Sequence, residues 1–341
     1  MDDRIRAAVA EQEAYVVGGA VRDELLGREV IDIDVACPDP EAAARTYAEA
    51  AGGALFPLSE RHGAWRVAFR SGRTVDFTPL RDGIESDLAT RDFTINAIAV
   101  RVDGGDPIDP YEGRRDLEAR VLRAVSPTIF EDDPVRLLRA VRLEDELGFR
   151  LDDETADRVR THAELVNRPA GERILAELER FSARGFRRAE ELGVLVPLGG
   201  STERLERAES GASSALLLVL VFGENIERFP ISNEFRRFAR TLLAAKRPED
   251  DSPRTIHRFR RATEPWALEA LAFLNAGDLA DAVRAGRAND PAEPLVRGDE
   301  LGIPPGPEVG RLLELVDEER AAGTISTREE ALALVRRELE R

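Results

Sequence analysis

The chain has 341 residues, which is enough for two or three domains with a sizeable core. A formal net charge of −17 argues, taken globally, against nucleic-acid binding, and the lack of any apolar run near 18 residues argues against a membrane span. The single cysteine, Cys37, excludes an internal disulfide, and three histidines leave little for a zinc site. With no apolar signal core at the N-terminus, we expect a cytoplasmic protein.

The chain begins with a predicted strand, a glycine pair and a helix. Residues 3–12 read as a short helix, residues 14–17 as an apolar strand, and Gly27 ends the helix that follows Gly18 and Gly19. A glycine pair at this point lets a phosphate approach backbone N–H groups at a helix N-terminus, and Arg22 can reach the same anion. On its own, such a pair most often makes only a tight connection.

The next strand, residues 31–35, alternates apolar and acidic residues. Its period of two predicts that Ile31, Ile33 and Val35 face the core, while Asp32 and Asp34 lie on the other face, about 7 Å apart. Two such carboxylates suit Mg²⁺, which proteins bind through one or two carboxylates together with substrate phosphates. The alternative is an edge strand with a solvated polar face.

The glycine pair, Arg22 and the Asp32-Ile33-Asp34 sequence together resemble the head of the bacterial-type (class II) tRNA nucleotidyltransferase and poly(A) polymerase family. The resemblance implies an α+β fold, with a nucleotidyltransferase (polymerase β-like) head that holds a small mixed sheet, followed by all-helical neck, body and tail domains. We place these parts at residues 1–125 for the head, 126–190 for the neck with a nucleotide-selecting helix, and 191–341 for the RNA-binding body and tail.

A helix over residues 41–51, ended by Gly52-Gly53, precedes three predicted strands at residues 55–56, 65–69 and 74–78. In the last of them Asp76 faces away from Val75 and Phe77. If this strand pairs beside Asp32 and Asp34, three carboxylates converge, an arrangement that suits two-metal phosphoryl transfer. The family usually carries an acid at this place. The alternative is a surface aspartate.

Residues 88–99 match the family's second motif, Arg-Arg-Asp-Phe-Thr-x-Asn-Ala, except that Thr90 replaces the first arginine. By resemblance, Arg91 and Asp92 contact the nucleotide triphosphate and ribose. From its chemistry alone, Arg91 is an available phosphate ligand and Asn96 a candidate sugar contact. An Arg–Asp surface pair of little energetic value is the alternative.

Residues 80–88 connect the third-carboxylate strand almost directly to that motif. Family members that add C, C and A carry a flexible loop of roughly twenty residues here, associated with switching from CTP to ATP, so the short segment resembles the enzymes that add only the two cytidines.

The segment from Asp133 to Arg142 predicts a helix with Asp133 as N-cap and Pro134 as its first residue. An acceptor and a guanidinium fork one turn apart can match the edge of a base. By resemblance, Asp133 and Arg136 select the nucleotide, and Arg139 and Arg142 lie near the triphosphate. A capped helix with a surface Asp–Arg pair is the alternative.

The pattern beyond Gly148 is helical, including residues 152–164, 170–181, 185–191 and 324–337. Phe235 to Ala262 carries nine Lys or Arg against three acids, a local charge of +6, with phenylalanines among them. This composition fits a nucleic-acid backbone contact and, equally, a solvated helix face over core phenylalanines.

The sequence therefore predicts a CC-adding tRNA nucleotidyltransferase that takes CTP, and ATP if it also adds adenosine, and binds the acceptor arm and 3′ end of tRNA. By resemblance, Asp32 and Asp34 hold two Mg²⁺ ions and Asp76 completes the catalytic site. Alternatives within the family are CCA addition, A addition and polyadenylation. Outside it, a catalytically silent RNA-binding protein and a nucleotidyltransferase for small molecules remain open, and the sequence does not indicate an oligomeric state.

Overall fold

The computed structural model describes residues 2–59, 63–208 and 211–340. The chain forms two compact units, one ending at Leu198 and the other beginning at Gly199. No helix in these ranges combines the length and the apolar composition needed to cross a bilayer.

The first unit contains a six-stranded mixed sheet with the order β3-β4-β5-β2-β1-β6. Only the central pair, β2 and β5, is parallel, and every other neighbour in this sheet is antiparallel. A short parallel pair, β7 with β8, lies outside the sheet. The strands are β1 Tyr15–Val17, β2 Asp32–Cys37, β3 Ala54–Ser59, β4 Ala64–Ala68, β5 Thr74–Pro79, β6 Ala99–Arg101, β7 Val121–Leu122 and β8 Arg150–Leu151.

Ten α-helices are found in the described part of the first unit. They are α1 Asp3–Ala8, α2 Gly19–Leu25, α3 Pro40–Ala51, α4 Ile84–Ala89, α5 Gly113–Ala119, α6 Ile129–Asp132, α7 Arg136–Leu147, α8 Asp153–Thr161, α9 Gly171–Leu178 and α10 Ala183–Glu191. Gly52 ends α3 in the left-handed conformation, as the glycine pair predicts.

The two faces of the sheet are covered differently. One face carries Val35 and Phe77, both fully buried, and α3 packs there through Tyr47, whose ring lies 5.8 Å from that of Phe77. On the other face α4 covers one end of the strands, where Tyr15 and Ala36 join its Ile84 and Leu88 in an apolar cluster. Toward the start of β2 this second face is lined by acidic side chains instead.

The second unit is helical throughout its described residues, as predicted. Its α-helices are α11 Ser214–Phe222, α12 Asn233–Ala244, α13 Pro253–Thr263, α14 Ala267–Phe273, α15 Ala280–Ala288, α16 Pro307–Ala321 and α17 Arg328–Leu339. The last two pack through Leu312, Val316, Ala331 and Val335.

Two local expectations are wrong. Ile31 does not face a core, since the strand begins at Asp32 and Ile31 is 50% exposed. Asp133 is not an N-cap: it ends α6 with φ −147° and ψ 94°, and α7 begins three residues later at Arg136 without a side-chain cap. The first i→i+4 bond of the helix runs from Arg139 N–H to Val135 O, so Asp133 lies in the turn before α7.

Candidate active site

One row of residues crosses the sheet at the acidic end of its second face. Asp34 of β2 pairs with Asp76 of β5 on one side and with Val17 of β1 on the other, and Arg66 of β4 pairs with Asp76. Paired residues in neighbouring strands point to the same face. Asp32, two residues before Asp34, lies on this face as well and is exposed. The predicted approach of the three aspartates is therefore present in the strand register.

Asp34 lies near two other carboxylates and two guanidinium groups. Burial raises the pKa of Asp34, and the charges of Asp76 and Asp32 raise it further, while Arg91 and Arg139 lower it. A carboxylate that remains ionised here is stabilised by a cation. The oxygen ligands of Asp32 and Asp34 suit Mg²⁺, and this donor set fits the predicted metal.

The third carboxylate is held by a residue that we did not predict. Arg66 donates from Nε and Nη2 to the two oxygens of Asp76, each at 2.7 Å, and Asp76 is 7% exposed. Accordingly, among the described residues no set of three or more His, Cys, Asp or Glu side chains is placed to hold a metal ion. In the sequence Arg66 lies between the apolar residues Trp65 and Val67. Only the β4–β5 register shows that it faces Asp76.

The glycine pair lies beside this row. Gly18 has φ +72°, and a Cβ on it would lie 3.2 Å from Asp34 Oδ2 and 3.3 Å from Arg91 Nη1. On Gly19, a Cβ would lie 3.4 Å from Arg22 Nη2. Arg22 itself donates to Asp23 and, at 2.8 Å, to Asn96 Oδ1. The buried backbone at Gly18 thus lies directly between the carboxylate of Asp34 and the guanidinium of Arg91.

We expect Gly18→Ala to lower nucleotidyl transfer by roughly tenfold to a hundredfold, because the methyl group crowds Asp34 and Arg91 in addition to straining the backbone. Gly27→Ala is the matched control, since Gly27 has φ +66° but no atom within 4 Å of a Cβ. Gly18→Ala should lose more stability, since Gly18 combines φ +72° with ψ −138°, so the activities are compared well below both melting transitions, where only Gly18→Ala should lose activity. Equal activity in both variants would exclude a role for close approach at Gly18.

The segment 88–99 brings Arg91 and Asp92 to the same place. Arg91 donates to Asp87 from Nε and Nη2, at 3.0 and 2.7 Å. Asp92 is buried, and Arg139 Nε lies 2.5 Å from its Oδ2. Burial alone would raise the pKa of Asp92, but Arg139 and hydrogen bonds from Asn96 and the Phe93 N–H lower it below its usual value.

The side chain of Asn96 is fixed by hydrogen bonds to two of these residues. It accepts from Arg22 and donates to Asp92 Oδ1 at 2.9 Å, and it is 2% exposed. It links the helix after the glycine pair to the Asp92–Arg139 ion pair. In this structure its bonds are internal, so a sugar contact by Asn96 stays a prediction.

The two residues predicted to select the base adjoin this network. Arg136 donates to the Thr90 carbonyl oxygen at 2.7 Å, which places the start of α7 against the 88–99 segment. Asp133 accepts from Arg173 Nη1 and Nη2 at 3.0 and 2.7 Å. Arg173 of α9 was not predicted, because it is 40 residues away and only the packing of α9 on α7 brings it to Asp133.

Arg142 lies apart from these residues. Its side chain is buried, donating to Glu177 at 2.6 Å and to Glu146 at 3.2 Å. Burial lowers the pKa of Arg142, and the two glutamates oppose that shift. This geometry does not favour the predicted triphosphate contact, so we leave Arg142 out of the proposed binding set.

Comparison with known proteins agrees with this geometry. The chain is 33% identical to the A-adding tRNA nucleotidyltransferase of Deinococcus radiodurans, and the alignment covers 95% of each protein. The chain belongs to the tRNA nucleotidyltransferase family. It is also 32% identical to the CC-adding tRNA nucleotidyltransferase of Thermus thermophilus, over 95% of this chain and 93% of that protein. The nucleotidyltransferase activity follows from membership of this family.

The match to the poly A polymerase head domain family covers residues 14–83 and 73–123, the part that holds the sheet. The structure of the Thermotoga maritima CCA-adding enzyme in complex with tRNA superposes with a TM-score of 0.77 at 25% identity, covering 99% of this chain and 95% of that chain. The α+β head followed by helical domains is therefore the family fold. Nucleotidyltransferases of this family generally use divalent metal ions.

Proposed function

We propose that this enzyme adds cytidines, without a template, to the 3′ end of tRNA, using CTP and releasing pyrophosphate. The observation that carries the specificity is the connection between β5 and α4, which consists of residues 80–83 only. Four residues cannot form the long flexible loop that, by family resemblance, accompanies switching from CTP to ATP. Asp82 and Gly83, both with positive φ, turn the chain directly into α4.

Asp133 and Arg136 are proposed to select the base, because an acceptor and a guanidinium three positions apart can meet the polar edge of cytosine. Asp133 offers its carboxylate from a position fixed by Arg173, and Arg136 is fixed by the Thr90 carbonyl. Held side chains lower the entropy cost of recognition.

The triphosphate is proposed to lie against the backbone at Gly18 and Gly19, with Arg22, Arg91 and Arg139 as its cationic neighbours. Asp92 keeps Arg139 in place through the ion pair and is the proposed ribose contact. Gly18, Arg91 and Arg139 lie near Asp34, and Asn96 links Arg22 to Asp92, which supports one continuous nucleotide site.

Two Mg²⁺ ions bound by Asp32 and Asp34, with Asp76 nearby, would supply activation of the RNA 3′-hydroxyl and neutralisation of the leaving pyrophosphate. The Thr74 hydroxyl donates to Asp32 Oδ1 at 2.8 Å and holds this exposed carboxylate toward the site. Asp76 can join the acidic set once Arg66 releases one of its oxygens.

tRNA, bound by its acceptor arm, is the proposed partner, which also makes the cytoplasm the proposed location. The division into a head at 1–125, a neck at 126–190 and a body and tail at 191–341 is part of the proposal. Addition of the terminal adenosine is the second candidate, because the A-adding relative matches as much of this chain as the CC-adding one does.

We expect the enzyme, given Mg²⁺, both nucleotides and a tRNA that lacks its last three residues, to add two cytidines and no adenosine. Extension of labelled tRNA with CTP alone, ATP alone or both, resolved on a sequencing gel, measures this result. A tRNA that already ends in CC serves as the matched control and should remain unextended.

Addition of CCA would show that the short connection does not limit specificity. Extension only of the tRNA ending in CC, with ATP, would establish the A-adding alternative. Absence of extension in every mixture would contradict the proposed substrate.

A further inference from the structure

Most arginines in the described ranges are ion-paired with a carboxylate of the same chain. This holds even in the basic stretch from Phe235 to Ala262, where the carboxylate-paired cations are Arg240, Arg247, Arg254, Arg258, Arg260 and Arg261. Six of its nine cations are thus already neutralised from within. Arginines without a carboxylate partner in the same chain are therefore the ones free to bind an external anion.

Three such arginines line one cavity of about 400 Å³ on the first unit. Arg150 is the first residue of β8, and Arg184 and Arg187 lie on α10 one turn apart. All three are exposed, and among the described residues none of them has an ion-pair or side-chain hydrogen-bond partner. Positions i and i+3 place Arg184 and Arg187 on the same side of the helix.

The acids that line the same cavity are already engaged. Glu144 accepts from Arg188 at 2.7 Å and from the Leu151 N–H at 2.8 Å, and Glu191 also accepts from Arg188. Asp145 accepts from the Ser182 N–H at 3.0 Å. Arg188 lies between its two glutamates, and the whole lining has four arginines against three acids, a net charge of +1, in which the three unpaired arginines are the exposed cations.

The cavity suits a backbone rather than a base. Its aromatic lining residue, Phe149, is buried, which leaves no exposed ring face on which a base could stack. The first N–H groups of α10 are capped by Ser182, so they are not the binding groups. Exposed guanidinium groups with free donors match successive phosphate oxygens.

We propose that Arg150, Arg184 and Arg187 form a second RNA contact, which binds phosphates of the tRNA backbone away from the nucleotide site. This inference rests on the proposed function, because tRNA is the polyanion that the enzyme would hold. It assigns to the first unit a part of RNA binding that the sequence places in residues 191–341. The proposed contact is a local group of unpaired cations in a chain whose net charge is −17.

The test is the affinity of the full chain for tRNA lacking its 3′ CCA, measured by fluorescence anisotropy at about 50 and 200 mM salt. The double variant Arg184→Gln/Arg187→Gln should bind roughly tenfold more weakly, with a salt dependence smaller by about two in slope. Its affinity for CTP should stay unchanged. Arg158→Gln/Arg160→Gln on α8 is the control, because it makes the same charge change on arginines already paired with Glu154 and Asp157.

Wild-type tRNA affinity in the α10 variant would overturn the inference while leaving the proposed function intact. Equal weakening in both double variants would also overturn it, since net charge would then be the cause. A loss of CTP affinity instead would mean that the cavity binds a nucleotide. Failure of the wild-type chain to bind tRNA would overturn both the inference and the proposed function.

Discussion

Replacing Asp34 by Asn should lower cytidine addition by roughly a thousandfold or more and leave the protein as stable as the wild type, or slightly more stable. The activity falls because Asp34 supplies an anionic oxygen ligand at the centre of the carboxylate row. The stability holds because burial and the nearby charges of Asp76 and Asp32 already disfavour the ionised form of Asp34 in the folded chain.

The sign of the pH dependence follows from the raised pKa of Asp34 in the folded state. A carboxyl group with a raised folded-state pKa destabilises the protein above that pKa, and this penalty disappears as the pH falls through it. Asp34→Asn should therefore gain most in thermal unfolding near neutral pH and approach the wild type in acid.

Asp103→Asn is the matched control for this variant. Asp103 is exposed and paired with Arg101, so the same chemical change is expected to leave both activity and melting temperature within error of the wild type. Single-turnover incorporation of labelled CTP, with thermal unfolding of the same preparations, gives both readouts. Near-wild-type turnover in Asp34→Asn would remove Asp34 from the mechanism.

Arg142→Met should destabilise the first unit by about 3 kcal/mol, because it leaves Glu177 and Glu146 without their buried partner. For a unit of this size the melting temperature should fall by roughly 6–12 °C. Arg180→Met is the control: Arg180 pairs with the same Glu146, but its side chain is 58% exposed, against 5% for Arg142. We expect the control to cost less than about 1 kcal/mol.

The same pair of variants tests what Arg142 does. If it is structural, Arg142→Met at a temperature well below its transition should bind CTP with wild-type affinity. A loss of CTP affinity without a loss of stability would restore the triphosphate contact that the sequence predicts and contradict the geometry.

Short-range patterns in the sequence predict the elements of the head well. Alternation in 74–78 predicts that Asp76 and the pair Val75 and Phe77 face opposite sides, and both apolar residues are buried while Asp76 faces Asp34. The glycine pair at 18–19 and Gly52 are likewise local signals, each at the end of a neighbouring helix. Such signals depend on backbone periodicity and φ, which the local sequence determines.

The partners of the site's charges could not be predicted, because they come from long-range packing. Arg66 reaches Asp76 through the β4–β5 register, and Arg173 reaches Asp133 from another helix. Asp133, which lies before the cap residue of α7, has its carboxylate on Arg173 rather than on the helix N-terminus. A count of charges in the sequence also overstates how many cations in residues 235–262 are available to bind RNA, because it does not show which of them are already paired.

The single parallel pair in the sheet has a consequence for how the enzyme is made. Asp32 and its partner Thr74 are 42 residues apart, and the whole of α3, β3 and β4 lies between the two strands that carry the carboxylates. An emerging chain that has reached only Ala68 holds Asp32 and Asp34 but cannot assemble the row, because β5 has not yet been synthesised. The carboxylate row thus depends on a contact between residues far apart in the sequence, and chains truncated before β5 would carry half of it without activity.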